Sequence, residues 1–354
     1  MKRRTFIQNL SLWAGGSHFI KHLPFTGQSS PLPRKDLLLN AYYFRAHMYT
    51  MVPHQIKEDM KTMAAAGTKV VSIAVLEQDL WAGNHNIKTI CEYAAQEGME
   101  VWGVPSRWGG LVAGAPKVPS MFSTTHPDTW MLRKDGTPLI RATTSGVVSS
   151  IHHPDTLQFF CETGDKVLSE FPLTGLIWDE PKYIGTKDYS EAAQHALGTD
   201  STYEERVEHY ARFFTQVNHY LKERHNVQLS MFLQAESDDT MVSGMAEIGG
   251  LDYFGCDGRP WSIKDGGQLE AKDKTLLDQG HRFLEAARRN DVKSLLLVEN
   301  HNLPARDLPL LEKGLPEVLA MKPDQLIYYY YPRNVEEPEK AMDIMFEGLR
   351  SLRK

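Results

Sequence analysis

The stretch His54-Gln55-Ile56-Lys57-Glu58-Asp59-Met60-Lys61-Thr62-Met63-Ala64-Ala65-Ala66-Gly67-Thr68-Lys69-Val70-Val71-Ser72-Ile73-Ala74-Val75 changes its hydrophobic period part-way. Up to Ala66 the apolar residues recur with the spacing of an amphipathic helix. Gly67 then stops the helix, because a glycine takes the left-handed cap conformation without steric cost. From Lys69 to Val75 a short, β-branched apolar run follows, as expected of a parallel strand buried on both faces. The same succession returns with Ile87–Glu97 as helix, Gly98 as stop and Glu100–Pro105 as strand.

Working outward, strands are predicted at Leu38–Phe44, Lys69–Val75, Glu100–Pro105, Gly175–Asp179, Gln228–Leu233, Leu251–Gly255, Ser294–Val298 and Gln325–Tyr330. Helices are predicted at His54–Ala66, Ile87–Glu97, Asp155–Glu170, Tyr203–Arg224, Leu276–Asn290, Leu308–Leu319 and Pro338–Leu352, with a weaker one over 239–249. Eight strand-then-helix units predict an α/β protein, a single (β/α)8 barrel over residues 37–354. The rival is an open doubly wound sheet, which wants a glycine-rich phosphate loop after its first strand. Here that strand runs into Ala41-Tyr42-Tyr43-Phe44-Arg45-Ala46-His47, with no such loop. Long connections follow the third strand (Ser106–His153) and the fourth (Pro181–Thr202), on the face where barrel enzymes build their sites.

Composition narrows the function classes. Of 354 residues, 42% are hydrophobic and 24% charged, which excludes a disordered chain, and three cysteines exclude a disulfide scaffold. Cys91, Cys161 and Cys256 lie far apart and read as buried thiols. No apolar run of about 18 residues exists, so no stable membrane insertion is expected. A net charge of −6 with interspersed signs argues against nucleic acid as a partner. The opening Met1-Lys2-Arg3-Arg4-Thr5-Phe6-Ile7, with a modest apolar stretch after it, resembles a twin-arginine export signal. With the Pro/Ser/Gly-rich linker behind it, this segment occupies residues 1–36 and predicts a periplasmic or extracellular protein.

The fourth strand ends Leu176-Ile177-Trp178-Asp179-Glu180-Pro181, and the seventh ends Leu297-Val298-Glu299-Asn300-His301. Carboxylates beyond oily strands are costly unless they are paired or used. In a closed barrel these two ends lie roughly across the mouth, so Glu180 and Glu299 can divide acid and nucleophile roles. The plainer reading is that both merely accept hydrogen bonds from arginines at the mouth. Other strand ends supply polar and aromatic groups: Arg45 and His47, Arg107 and Trp108, Gln234, Asp257 with Arg259 and Trp261, and Tyr330. Such sets suit paired sugar hydroxyls and apolar sugar faces, with Asp179 as a further hydroxyl or Glu180 partner.

The pair Glu180 and Glu299 resembles the arrangement of clan-A glycoside hydrolases. In those enzymes the strand-four glutamate is the acid/base and the strand-seven glutamate the nucleophile. The segment His126-Pro127-Asp128-Thr129-Trp130, Lys134-Asp135-Gly136-Thr137-Pro138 and His153-Pro154-Asp155-Thr156 looks like the corresponding stretch of family 42 β-galactosidases and related hydrolases. Where that clan has an asparagine before the acid/base, this chain has Asp179, which should raise the pKa of one member of the pair. The resemblance implies a retaining glycosidase acting on an oligo- or polysaccharide without a cofactor. The alternatives are a carbohydrate-binding barrel without catalysis, and a metal-dependent isomerase or lyase using His47, Glu77, Asp179, Glu180, Asp257 and Glu299, although no tight metal-ligand spacing is present.

Overall fold

In the computed structural model the described residues are 37–43, 52–114, 118–142, 146–262, 264 and 274–351. The export segment and linker expected at 1–36 lie outside them, as do Arg45 and His47. The strands are β1 (Leu38–Tyr43), β2 (Val70–Val75), β3 (Glu100–Pro105), β4 (Ile140–Ala142), β5 (Gly146–Val147), β6 (Gly175–Asp179), β7 (Gln228–Gln234), β8 (Tyr253–Gly258), β9 (Lys293–Val298) and β10 (Gln325–Tyr330). The helices are α1 (Pro53–Ala65), α2 (Asn84–Gln96), α3 (Met121–Thr125), α4 (Pro154–Glu170), α5 (Glu191–Leu197), α6 (Tyr203–Lys222), α7 (Asp239–Ala246), α8 (Leu276–Arg289), α9 (Leu308–Ala320) and α10 (Pro338–Ser351).

Eight strands close a parallel barrel in the order β1-β10-β9-β8-β7-β6-β3-β2, the architecture expected from the sequence. The small antiparallel pair β4–β5 and α3 lie in the connection after β3, and α5 lies in the connection after β6. Gly67 (φ +96°) and Gly98 (φ +69°) take left-handed conformations directly after α1 and α2, as their positions predict. Thr202 and Glu205 form a reciprocal capping box at the start of α6.

Alternation along the strands sorts the core into two layers. Tyr42, Trp102, Ile177, Phe232, Leu297 and Tyr329 fill the barrel interior. Trp178, Phe160, Phe214 and Tyr328 pack between barrel and helices. Burying Trp178 in that layer requires a partner for its indole N–H, and Asn218 of α6 accepts it at 3.0 Å.

The sixth barrel strand differs from the expectation. It starts at Tyr253 rather than Leu251 and runs on to Gly258. Asp252 stays in the preceding turn, where its carboxylate accepts the Leu229 N–H at 2.7 Å. Gly255, the last residue of the expected strand, lies inside the observed one and permits close approach of β9: a Cβ there would lie 1.7 Å from the Leu295 carbonyl oxygen. Gly255→Ala is therefore expected to cost about 1–3 kcal/mol or more through forced strand separation. A thermal melt unchanged from wild type would contradict this.

Candidate active site

The interior period carries polar residues to the C-terminal mouth. Asp179 ends β6, Gln234 ends β7 level with Asp257 of β8, and Glu299 follows β9. An extended strand would send Asp179 and Glu180 to opposite faces. Glu180 instead takes a left-handed backbone with φ 37°, while its N–H stays bonded to the Phe232 carbonyl at 3.1 Å. Both carboxyls thereby reach the mouth, and both are about nine-tenths buried.

Three carboxylates converge. One oxygen from each of Glu180, Asp257 and Glu299 lies within 4.8 Å of the others. In their midst stands the Lys274 ammonium, bonded to Glu180, 3.1 Å from Asp257 and 3.7 Å from Glu299. Lys182 also bonds Glu180, and the Gln234 amide donates to it at 3.2 Å. Tyr42 donates to Asp179 at 2.9 Å. A divalent ion among these carboxylates would have to displace an ammonium that already balances them.

This packing divides the protons unequally. Burial alone would raise the Glu180 carboxyl, but the Lys274 and Lys182 ammoniums and hydrogen bonds from Asp257 and Lys182 outweigh it and hold it well below the carboxylate range. Burial and the Glu180 charge push Asp257 well above that range. The same two causes raise Asp179 to about 6. The adjacent pair thus separates as expected, but the raised member is Asp179 and not Glu180. Burial depresses Lys274, yet the three carboxylates win and keep it charged. Burial, then Arg259, Arg333 and Lys274, lower His301 to about 3, so its imidazole is neutral.

The remaining expected residues are placed as follows. Arg259 donates to the Glu299 carbonyl at 2.9 Å and to that of His301, which fixes the chain carrying Glu299. Arg107 turns back onto the Gly114 carbonyl at 2.9 Å. Trp108, expected as a sugar platform, is fully buried, its N–H bonded to Val75 and its ring edge-on to Phe159 and Phe160. Trp261 is 2% exposed, and the Arg259 guanidinium stands 5.8 Å from its ring. Tyr330 faces the helix layer, donating to Asp59 of α1 at 3.2 Å; the interior tyrosine of that run is its neighbour Tyr329. Glu77 is taken up by Ser120 and the Phe122 N–H at 2.6 and 2.7 Å. His153 caps α4, beside exposed Asp128 and Asp155.

Sequence reasoning missed Tyr42, Tyr329 and Lys274 as members of the site. Strand alternation put one of each neighbouring tyrosine pair inward without saying which. For Lys274 there was no signal, because it lies in a loop before α8 rather than at a strand end.

No protein-family model matches the chain, and no curated protein matches it in sequence. Solved structures do match in fold. The catalytic domain of β-amylase from Paenibacillus polymyxa is similar at TM-score 0.57 and 11% identity, over 90% of this chain and 99% of that one. The chitobiase of Flavobacterium johnsoniae is similar at TM-score 0.53 and 14% identity, over 91% of this chain and 51% of that one. An inactive mutant of the GH20 exo-β-N-acetylglucosaminidase from Vibrio harveyi is similar at TM-score 0.51 and 12% identity, over 91% and 54%. The chain therefore spans about half the length of the latter two. The likeness to these three is one of fold.

The raised Asp179 sets a pH-dependent prediction. The folded state holds this proton more tightly than the unfolded chain, where aspartate titrates near about 3.9. The resulting stabilisation is complete below about 3.9 and is lost as the pH rises through about 6. Asp179→Asn stays neutral throughout, so its stability relative to wild type should improve by roughly 1–3 kcal/mol between about pH 4 and pH 8. Chemical denaturation at both pH values checks this, and an equal difference at each would refute it.

Proposed function

We propose that the protein is a glycoside hydrolase that cleaves a glycosidic bond with retention at the anomeric carbon. The carboxylate cluster carries the reading, with oxygens of Glu180 and Glu299 within 4.8 Å at the mouth of the barrel. Retaining enzymes need about 5–5.5 Å between the two groups, whereas inverting ones need about 6.5–9.5 Å to admit a water. Fold neighbours that act on carbohydrates support a carbohydrate substrate.

In the first step a Glu299 oxygen bonds to the anomeric carbon while the glycosidic C–O bond breaks. Glu180 delivers a proton to the leaving oxygen. In the second step water attacks the same carbon, gives its proton to Glu180, and Glu299 leaves. Asp257, whose carboxyl is pushed well above its ordinary range by burial and the Glu180 charge, hydrogen-bonds Glu180 and is placed to supply the proton delivered in the first step. The neutral His301 imidazole, 3.9 Å from Glu299, leaves the nucleophile's charge uncompensated on that side.

Glu180→Gln and Glu299→Gln are each expected to lower hydrolysis across an aryl-glycoside panel by about 10²–10⁴-fold. Near wild-type rates in both would end the proposal. Calorimetric binding of oligosaccharides without turnover by the wild type would make the chain a binding barrel instead.

We extend the reading to location: residues 1–36, through Arg3 and Arg4, direct export. A reporter fused behind them should reach the periplasm, and Arg3→Lys with Arg4→Lys should retain it in the cytoplasm. Equal export of both fusions would refute this.

A further inference from the structure

The gap between Glu180 and Glu299 is filled in the free protein by a group of the chain itself. The Lys274 ammonium bonds Glu180 and lies 3.7 Å from Glu299. A sugar carbon reacting with Glu299 must come within about 3–3.5 Å of the attacking oxygen and also present its leaving oxygen to Glu180. No such carbon fits beside the ammonium. The ammonium is moreover a positive charge where an oxocarbenium-like transition state develops one.

We propose that Lys274 is a positioning residue: its side chain holds the place of the reacting sugar in the free protein and withdraws when substrate enters. This rests on the hydrolase reading above. The backbone here is held, with the Lys274 carbonyl accepting the Arg259 N–H at 3.0 Å and the Leu276 N–H donating to the Arg259 carbonyl at 2.8 Å, so the proposed movement is one of the side chain. The four-carbon stem is flexible, and returning the ammonium to water removes its burial cost.

The withdrawal converts Glu180 from a fixed anion into a proton donor. With Lys274 in place two ammoniums hold Glu180 ionised; after it leaves, one ammonium, that of Lys182, remains with the hydrogen bonds from Asp257 and Gln234 against burial and the neighbouring Asp179. The other groups facing the cluster change less. Glu236 on the β7 side feels Lys274, Glu180 and Glu299, and burial raises it. Arg259 and Arg333 face His301, which stays neutral, and Tyr42 and Tyr329 keep their protons through burial.

The test follows Glu180 directly and through catalysis. Carbon-13 NMR of glutamate-labelled protein, assigned with Glu180→Gln, reads its titration with and without a bound oligosaccharide. In the free protein Lys274→Met should raise the proton affinity of Glu180 at least about tenfold, while Lys274→Arg should leave it near wild type. Saturating oligosaccharide should raise it in the wild type by a similar factor, which tests withdrawal even if Lys274→Met fails to fold. In catalysis, Lys274→Met should move the alkaline limb of kcat/KM, which Glu180 governs as the acid, to higher pH and leave that limb of kcat in place. Unchanged titration on binding, or limbs of kcat and kcat/KM that move together, would overturn the inference. Absence of all turnover would sink the hydrolase reading alone, since the titration of the free and bound wild type still decides the role of Lys274.

Discussion

A closed parallel barrel leaves each strand residue only two directions, and the rest of this molecule follows from that restriction. Residues of one parity must fill a tapering interior, and those of the other must meet the helices. Large side chains satisfy both: Trp102 and Phe232 plug the inside, and Trp178 and Phe160 seal the outside. Once Ile177, Phe232, Gly255 and Ile327 are directed inward, Asp179, Gln234, Asp257 and Tyr329 must be as well, since each stands two residues further along its strand, and Glu299 follows two residues after Leu297, just past the end of β9. The polar mouth is the continuation of the oily interior by one more period.

That placement creates an electrostatic problem. Several carboxyls with little exposure cannot all be ionised at close range. The chain resolves it in two ways at once. Burial and the Glu180 charge favour the neutral form of Asp257, and Lys274 and Lys182 bring positive charge to Glu180. Breaking such a cluster by removing one member leaves buried charge uncompensated, which is more costly than the cluster is stabilising. The arrangement is therefore better understood as a way of storing a proton and an anion side by side than as a source of stability.

The barrel was legible in the sequence because its signals are local. The change from helical to strand period at Gly67 and again at Gly98 depends only on neighbouring residues, and seven of the eight strands lie within a residue of their expected bounds. The carboxylates were legible for the same reason, each standing out against an apolar strand. What was not legible depends on contacts between distant segments. Lys274 reaches Glu180 across ninety-four positions, and no pattern around it announces a partner. Trp108 and Trp261 read as platforms because glycine and proline flank them, yet each is drawn into the core by packing that the flanks do not encode. The parity of the tyrosine run is the middle case: alternation required one of Tyr329 and Tyr330 to point inward, but only the register with β1, which sets Tyr42 beside Tyr329 and Tyr43 beside Tyr330, decides which.

Asp179 and Glu180 show how local and distant constraints combine. Adjacent residues of a strand cannot share a face, so a pair of neighbouring carboxyls at one mouth needs a break in the backbone. The left-handed turn at Glu180 supplies it, a conformation that is uncommon for a residue with a β-carbon. Strain of this kind persists where surrounding bonds fix it, and here they do: the Glu180 N–H is held by Phe232, and its carboxylate by Lys182, Lys274 and Gln234. The Ala113 N–H, bonded to the Asp179 carbonyl at 2.8 Å, anchors the other side of the turn in the long connection after β3. That connection is thus part of the support for the carboxyl pair, which gives a structural reason for extra chain at that position in the barrel.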